Sequence, residues 1–211
     1  MSGKLPRPPV LVVTDRHQLD GGIAAMGAMA DAVFASGIRW ISLREKDLSV
    51  EEQIALVVDF KRRAIPYGGC VSVHGSPEIA VCAGADGVHL PEGADAAAAR
   101  ALLGEGALIG QSAHSINQVK AADPRYLDYL IVGPAFVTQS KPGYGPALGE
   151  TGLKAMVKGA CLPVIAIGGI DHFSAPICLH AGVTGIAVMG GAMRAQDRQV
   201  LLSNLLNTLA E

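Results

Sequence analysis

Short, continuous apolar runs recur eight times along the chain, at intervals of about 25 residues. Apolar and polar residues do not alternate in these runs, a pattern typical of parallel strands that are covered on both faces. The sequence therefore predicts eight buried strands: Val10–Thr14, Trp40–Leu43, Cys70–Val73, Gly87–Leu90, Leu108–Gly110, Tyr129–Val132, Pro163–Ile167 and Gly185–Met189.

Several stretches between these runs, and the stretch after the last, have the apolar spacing of helices. Ser49 followed by Glu52 predicts a capping box at the start of the second helix. Glycines that end helices in a left-handed conformation are predicted at Gly37, Gly84, Gly104 and Gly182. The predicted helices include Gly22–Ser36, Val50–Ile65, Pro77–Ala83, Ala96–Leu103 and Gln199–Leu209.

Eight strand–helix units predict one α/β domain, a closed (β/α)8 TIM barrel. An open Rossmann-like sheet is the competing architecture, but TDRHQLDGG follows the first strand where that fold has GxGxxG. The 211 residues fall below the ~250 usual for this barrel, so insertions should be minimal. We expect residues 1–9 to form an N-terminal extension and residues 10–211 to form the barrel domain.

Composition and charge narrow the range of partners. The chain is 50% hydrophobic and 17% charged, so it can bury a sizeable core. A net charge of −2 gives no electrostatic reason to expect nucleic acid or an anionic membrane. There is no apolar run of ~20 residues, no signal-peptide h-region in MSGKLPRPP and no metal-type cysteine spacing. These features predict a soluble, cytoplasmic protein without a metal cluster.

Two double-glycine turns end the seventh and eighth predicted strands, in AIGGI (166–170) and AVMGGA (187–192). In this barrel, function gathers where strands run into their following loops, and the last two loops often bind phosphate through backbone N–H groups. Glycine lets phosphate oxygens approach closely. We therefore expect a phosphate site at Gly168, Gly169, Gly190 and Gly191; tight turns alone are the alternative.

Two other strand ends carry cations and hydroxyl groups. LREK (43–46) places Arg44 and Lys46 on one side of an extended tip, with Glu45 expected to point away, and paired cations suit a carboxylate or phosphate. Thr138, Ser140 and Lys141 lie in a loop of the kind that closes over anionic ligands. A solvated charge cluster and an ordinary surface loop are the respective alternatives.

Histidines lie in or after three predicted strands. His114, in GQSAHS, is flanked by Ser112 and Ser115, and an imidazole near its ordinary pKa of ~6.5 can take and return a proton. His89, in the tight run GVHL, is expected to be a structural hydrogen-bonding residue. His74 comes directly after the third predicted strand and is followed at once by a glycine.

Taken together, these residues resemble the thiamine phosphate synthase and TenI superfamily, from about residue 10 to residue 193. The matching segments are LVVTD, LREKD, GADGVHL, IGQSAH, GPAFVTQSK and PVIAIGGI. The resemblance implies a (β/α)8 barrel that acts on the thiazole phosphate half of thiamine and associates as a homo-oligomer.

The superfamily has two main activities, and the residues after strands three and four separate them. Synthases join the thiazole phosphate to a pyrimidine pyrophosphate and hold Mg²⁺ with an Asn-Asp pair and a GQED-like run. Here the pair reads His74-Gly75 and the run reads PEGA (91–94). Neither glycine nor alanine supplies a side-chain oxygen for magnesium. Glu92 or Asp95 in a shifted register would still leave the first position without a ligand.

VHG and HLPEG instead resemble the TenI branch, which implies a thiazole tautomerase that aromatises a carboxythiazole phosphate without any cofactor. His114 would carry the proton, and Arg44 and Lys46 would lie near the substrate's carboxylate or ring. The expected substrate-binding set is Arg44, Lys46, His74, Ser112, Thr138, Ser140 and Lys141. Two alternatives stay open. One is a Mg²⁺-dependent thiamine phosphate synthase, and the other is a non-catalytic regulator that binds thiamine phosphate.

Overall fold

Eight parallel strands close into a barrel in the computed structural model, which describes residues 4–138 and 145–210. Each strand pairs with the next along the chain, and the eighth pairs with the first, so the predicted (β/α)8 barrel is confirmed. The strands are β1 (Val10–Val13), β2 (Trp40–Leu43), β3 (Cys70–His74), β4 (Gly87–Leu90), β5 (Leu108–Ala113), β6 (Tyr129–Val132), β7 (Val164–Ile167) and β8 (Gly185–Val188).

The described residues form nine α-helices on the outside of this barrel. They are α1 (Met26–Ala35), α2 (Val50–Ala64), α3 (Pro77–Cys82), α4 (Ala96–Leu103), α5 (Ile116–Ala121), α6 (Gly149–Gly159), α7 (Ala175–His180), α8 (Gly190–Arg194) and α9 (Arg198–Ala210). The predicted helix 22–36 instead begins with a separate 3-10 turn, Gly22–Ala25, before α1. None of the helices in the described part of the chain is long and apolar enough to cross a membrane.

Local capping places the helix ends where the sequence predicts them. The Ser49 hydroxyl accepts a hydrogen bond from the Glu52 N–H, and the Glu52 carboxylate accepts one from the Ser49 N–H, which completes the capping box of α2. The four glycines predicted to follow helices all have positive φ. These caps fix where each helix returns the chain to the barrel.

Alternate strand residues face two different apolar layers. One layer packs between the strands and the helices, and the other fills the barrel itself. In the interior layer, the Trp40 and Tyr129 rings meet edge to face at 4.9 Å. A Cβ on Gly110 would lie 2.1 Å from the Tyr129 ring, so only glycine leaves room for this tyrosine. Leu5 belongs to the same layer, so the residues before β1 pack against the barrel.

The fifth strand is longer than predicted. It runs to Ala113, past the predicted end at Gly110, because Gln111 pairs with Leu90 of β4 and Ser112 pairs with Ile131 of β6. The Gln111 amide donates to the carbonyl oxygens of Pro91 and Ala94, and Ser112 is tolerated because the barrel interior turns polar towards this end. The Ser112 hydroxyl lies 2.9 Å from Nε2 of the fully buried His89.

Burial governs the charge of His89. Its pKa is lowered to about 3, first because burial removes the imidazolium from water and then because of coulombic repulsion from His114 and Lys46. His89 is therefore neutral at neutral pH. It also packs over the Tyr129 ring, with 5.7 Å between ring centroids, and so links the apolar layer to the polar end of the barrel.

This histidine should make the protein less stable in acid. Between pH 6.5 and about 3 the unfolded chain binds a proton at position 89 that the folded chain does not, so the free energy of unfolding falls as pH falls. We expect the wild type to lose about 2 kcal/mol more than His89→Gln between pH 7 and pH 5, measured by urea unfolding. Carboxyl groups with lowered pKa values, such as Asp123 beside Arg125, lose their contribution only near and below 3.8.

The matched control is His172→Gln, which replaces an exposed histidine and should retain the wild-type dependence on pH. Equal losses in the wild type and in His89→Gln would contradict a neutral, buried imidazole at position 89.

Candidate active site

A cavity of ≈ 610 Å³ opens at the carboxyl ends of the strands. This volume is typical of a small-molecule site. The predicted site residues with described positions all line this one cavity: Arg44, Lys46, His74, Ser112, His114, Thr138, Gly168, Gly169, Gly190 and Gly191. Ser140 and Lys141, also predicted, lie outside the described residues. The rule that function gathers at the ends of barrel strands thus brings together groups from distant parts of the sequence.

A buried carboxylate organises the loops after β1 and β2. Glu45 was expected to point away, but its side chain is buried and both its oxygens accept from the Arg16 N–H, at 3.0 and 3.2 Å. The Arg16 guanidinium donates to the same carboxylate at 3.1 Å. The Arg44 N–H donates to the Thr14 hydroxyl at 2.9 Å, which ties the two loops together a second time. Glu45 is therefore a positioning residue for its two cationic neighbours.

The charge of Arg16 is paired with carboxylates within the loops after β1 and β2. Its guanidinium makes two parallel hydrogen bonds of 2.6 Å to the Asp47 carboxylate. Hydrogen bonds from Arg16 and then from His17 hold the pKa of Asp47 well below its ordinary value. Within residues 4–138 and 145–210, by contrast, neither Arg44 nor Lys46 forms a salt bridge. These two cations stand at the cavity with their charge available to an anion.

Two imidazoles lie side by side at the base of the cavity. Strand register pairs His74 of β3 directly with His89 of β4, and their ring centroids are 4.6 Å apart. His89 was expected to be structural, and its bond to Ser112 fits that role, yet its ring also lines the cavity. Sequence reasoning missed this contact because it treated the two strand ends separately.

His114 is held in one orientation at the rim. Its backbone N–H and that of Ser115 both donate to Oε1 of Gln118, at 2.7 and 2.9 Å. Nδ1 lies 3.0 Å from the Gly133 carbonyl oxygen, and a carbonyl only accepts, so Nδ1 carries a proton. Nε2 lies 3.8 Å from the Glu92 carboxylate, which also accepts a hydrogen bond from the Gln118 amide. Nε2 is thus the ring atom through which His114 can reach a ligand.

The first double glycine has a packing role as well as a place in the cavity. A Cβ on Gly168 would lie 3.0 Å from Pro134, and one on Gly169 would lie 2.5 Å from the Val137 carbonyl oxygen. Both glycines have positive φ, and the Gly168 carbonyl accepts from the Phe136 N–H at 2.9 Å. The loop after β6 therefore packs directly on the turn after β7, a constraint that the sequence interpretation did not include.

The second double glycine begins α8, and Gly191 has room for a side chain. A Cβ built there meets nothing within 4 Å, and its φ lies outside the left-handed range. Glycine at position 191 is therefore not required by packing or by backbone conformation. Open space beside the cavity at the start of a helix is what close approach of an anion would need.

Sequence analysis missed Arg194, which also lines the cavity. Its guanidinium donates to Oε1 of Gln18, and the Gln18 amide donates in turn to the Asp15 carboxylate at 2.5 Å. Helical spacing was the available signal, because Arg194 lies three and four residues after Gly191 and Gly190 and so shares their side of α8.

Residues 10–192 match the family described as thiamine monophosphate synthase. A Geobacter sulfurreducens protein, provisionally named a thiamine-phosphate synthase, is 38% identical over 187 residues, which cover 88% of this chain and 87% of that protein. The thiamine-phosphate synthase of Archaeoglobus fulgidus is 35% identical over 170 residues, 80% of each chain. The structure of thiamine phosphate pyrophosphorylase from Pyrococcus furiosus superimposes with a TM-score of 0.82 at 26% identity, covering 95% of each chain.

These relatives overturn the expectation of a thiazole tautomerase, since they carry the name of the alternative activity. The expectation rested on Gly75 and Ala94, which lack the side-chain oxygens of a magnesium site, and on the likeness of VHG and HLPEG to the TenI branch. The names of these relatives outweigh those local features.

The match covers every strand of the barrel, helices α1 to α7 and the first three residues of α8. This chain belongs to the thiamine monophosphate synthase family.

Proposed function

We propose that this protein is a thiamine-phosphate synthase, which joins a thiazole phosphate to a pyrimidine pyrophosphate and releases inorganic pyrophosphate. The observation that carries the proposal is the similarity to proteins named for this activity over 80% and 88% of the chain. The cavity supports it, because cationic side chains and two double-glycine turns both line it. Two anionic groups, one from each substrate, would find donors there.

The reaction needs alignment of its substrates more than it needs proton transfer. The lone pair of the thiazole ring nitrogen forms a bond to the carbon that carries the pyrophosphate, the C–O bond breaks, and its electron pair leaves with the pyrophosphate oxygen. No proton leaves a carbon atom. The enzyme therefore has to hold the two anionic ends so that nitrogen and carbon face each other, and such alignment alone can supply several orders of magnitude in rate.

The cavity offers candidate binding groups for the anionic part of each substrate. Arg44 and Lys46 would bind the pyrophosphate through charge-assisted hydrogen bonds, and the Thr138 hydroxyl lines the same cavity. The backbone N–H groups of the two double glycines would bind the phosphate of the thiazole. Ser112 positions His89, and His74 packs against that ring at the cavity base.

The side chains after β3 and β4 do not fit the magnesium that other synthases hold. Gly75 and Ala94 have no donor oxygen. Asp95 caps α4 by accepting from the Ala98 N–H at 2.9 Å, and Glu92 is engaged by Gln118. Among the described residues, no group of three or more His, Cys, Asp or Glu side chains is arranged to hold a metal ion. The proposal therefore assigns no step to a metal.

His114 acts in this proposal as a binding residue. With its Nδ1 proton donated to the Gly133 carbonyl, Nε2 is directed by the protein and can hydrogen-bond a substrate oxygen or nitrogen. The predicted cytoplasmic location and homo-oligomeric state stay predictions.

The direct test incubates the purified protein with the thiazole phosphate and the pyrimidine pyrophosphate. We expect thiamine phosphate and inorganic pyrophosphate to form in equal amounts. Chromatography measures the first product, and a phosphate assay coupled to pyrophosphatase measures the second. Tight binding of thiamine phosphate with no turnover would contradict the proposal and favour the non-catalytic regulator.

Gly191→Ala tests the phosphate site. The added Cβ meets no protein atom within 4 Å, so the fold should be unaffected, but it would occupy the space into which a phosphate oxygen has to come. We expect KM for the thiazole phosphate to rise about tenfold, since one hydrogen bond to a charged group is worth 1.5–3 kcal/mol. Gly106→Ala, also free of contacts but remote from the cavity, is the control. An unchanged KM would show that the phosphate binds elsewhere in the cavity.

His114→Ala separates binding from proton transfer. We expect kcat/KM to fall about tenfold, as for the loss of one hydrogen bond, and not by the ~10²–10⁴-fold typical of lost general acid–base catalysis. Steady-state kinetics with each substrate varied in turn measures this. A drop in kcat beyond a hundredfold would show that the imidazole transfers a proton in the rate-limiting step.

A further inference from the structure

The backbone after β3 is built for glycine and so excludes the acid that a metal site would need. Gly75 has a φ of 121°, a conformation that L side chains rarely adopt, although nothing within 4 Å would block a Cβ. Its N–H donates to the His89 carbonyl at 2.9 Å, which fixes this conformation against β4. An aspartate could replace Gly75 only with backbone strain.

Three cations surround the loop after β1 at the cavity. Arg44 and Lys46 follow β2 on one side of this loop, and Arg194 follows β8 on the other, because β1 lies between β8 and β2 in the barrel. The loop fixes both sides: Thr14 accepts from the Arg44 N–H, and Gln18 accepts from the Arg194 guanidinium. We call Arg44, Lys46 and Arg194 the cationic arc.

In the part of the chain that the structure describes, no carboxylate forms a salt bridge with Arg44 or Lys46. The acidic residues among those that line the cavity are Glu92 and Asp171. Glu92 lies across the barrel and is engaged by Gln118 and His114. Asp171 accepts hydrogen bonds from the backbone N–H groups of Phe173 and Ser174, at 3.0 and 2.9 Å.

We propose that the cationic arc takes the place of a divalent cation, so that this protein binds pyrophosphate and releases it as a leaving group without magnesium. The inference rests on the proposed function and specifies how that reaction is driven here. As the C–O bond breaks, negative charge gathers on the departing oxygen. Preorganised donors around that oxygen lower the barrier, as a metal ion would.

Inorganic pyrophosphate is the probe for binding, measured by titration calorimetry with the full chain. We expect binding in the presence of EDTA and no gain in affinity when Mg²⁺ replaces the chelator. Mg²⁺ reduces the negative charge of pyrophosphate, and the described part of the site supplies no cluster of carboxylates that could bind the ion. Binding that appears only with Mg²⁺, or that Mg²⁺ strengthens tenfold, would overturn the proposal.

Variants of Arg194 test the new member of the arc. Arg194→Gln should weaken pyrophosphate binding about tenfold, as expected for a lost charge-assisted contact, and Arg194→Lys should lose less because it keeps the charge. Arg125→Gln is the matched control, since Arg125 is exposed, pairs with Asp123 and does not line the cavity. Wild-type affinity in Arg194→Gln, or equal weakening in Arg125→Gln, would overturn the proposal.

Turnover in EDTA separates this inference from the proposed function. We expect thiamine phosphate to form at a similar rate with EDTA and with Mg²⁺. Product that forms only with Mg²⁺ overturns the inference and leaves the synthase assignment standing. If no product forms under either condition, the synthase assignment fails, and the pyrophosphate affinities alone decide whether the arc binds this anion without metal.

Discussion

Parallel pairing of eight strands in one fixed register is the constraint on which the rest of this molecule depends. Side chains alternate between the two faces of a strand, so a slip of one residue would exchange the interior of the barrel for its helix-covered face. The register sets Tyr129 opposite Gly110 and His74 opposite His89. The first pair fills the barrel interior, and the second forms the floor of the cavity. The same strand register therefore determines both the closed barrel and the floor of the cavity.

Above this floor, the site depends on polar contacts within and between loops. The buried Glu45 carboxylate draws in Arg16, and the surrounding hydrogen bonds leave Arg44 and Lys46 at the cavity. His114 is oriented in a similar way by Gln118 and the Gly133 carbonyl. In both cases, residues that would not contact the ligand position the side chain that would contact it. Such preorganisation reduces the cost of ordering charged side chains when an anion binds.

Much of this arrangement is readable from the sequence, and the failures have specific causes. Continuous apolar runs gave the strands to within a few residues, and the strand-end rule then assembled the cavity. Glu45 was misplaced because an extended dipeptide pattern says nothing about a partner such as Arg16, 29 residues away. Helices α5, α6 and α7 were not given bounds from the sequence, although α6 buries Leu153 and Met156 at helical spacing. The activity was misjudged because two missing metal ligands were weighed above a cavity that otherwise matched the synthases.

The packing of Gly168 and Gly169 has a consequence for how such barrels change over evolutionary time. Their missing side chains make room for Pro134 and for the Val137 carbonyl oxygen, whether or not an anion ever occupies the turn. A descendant that had lost its phosphorylated ligand would still be under selection to keep both glycines, because the adjoining loop rests on them. At Gly191 an added Cβ would meet nothing within 4 Å, so packing imposes no such selection there. If the double glycines bind phosphate as proposed, the retention or loss of Gly191 among distant relatives is therefore the better record of whether phosphate is still bound.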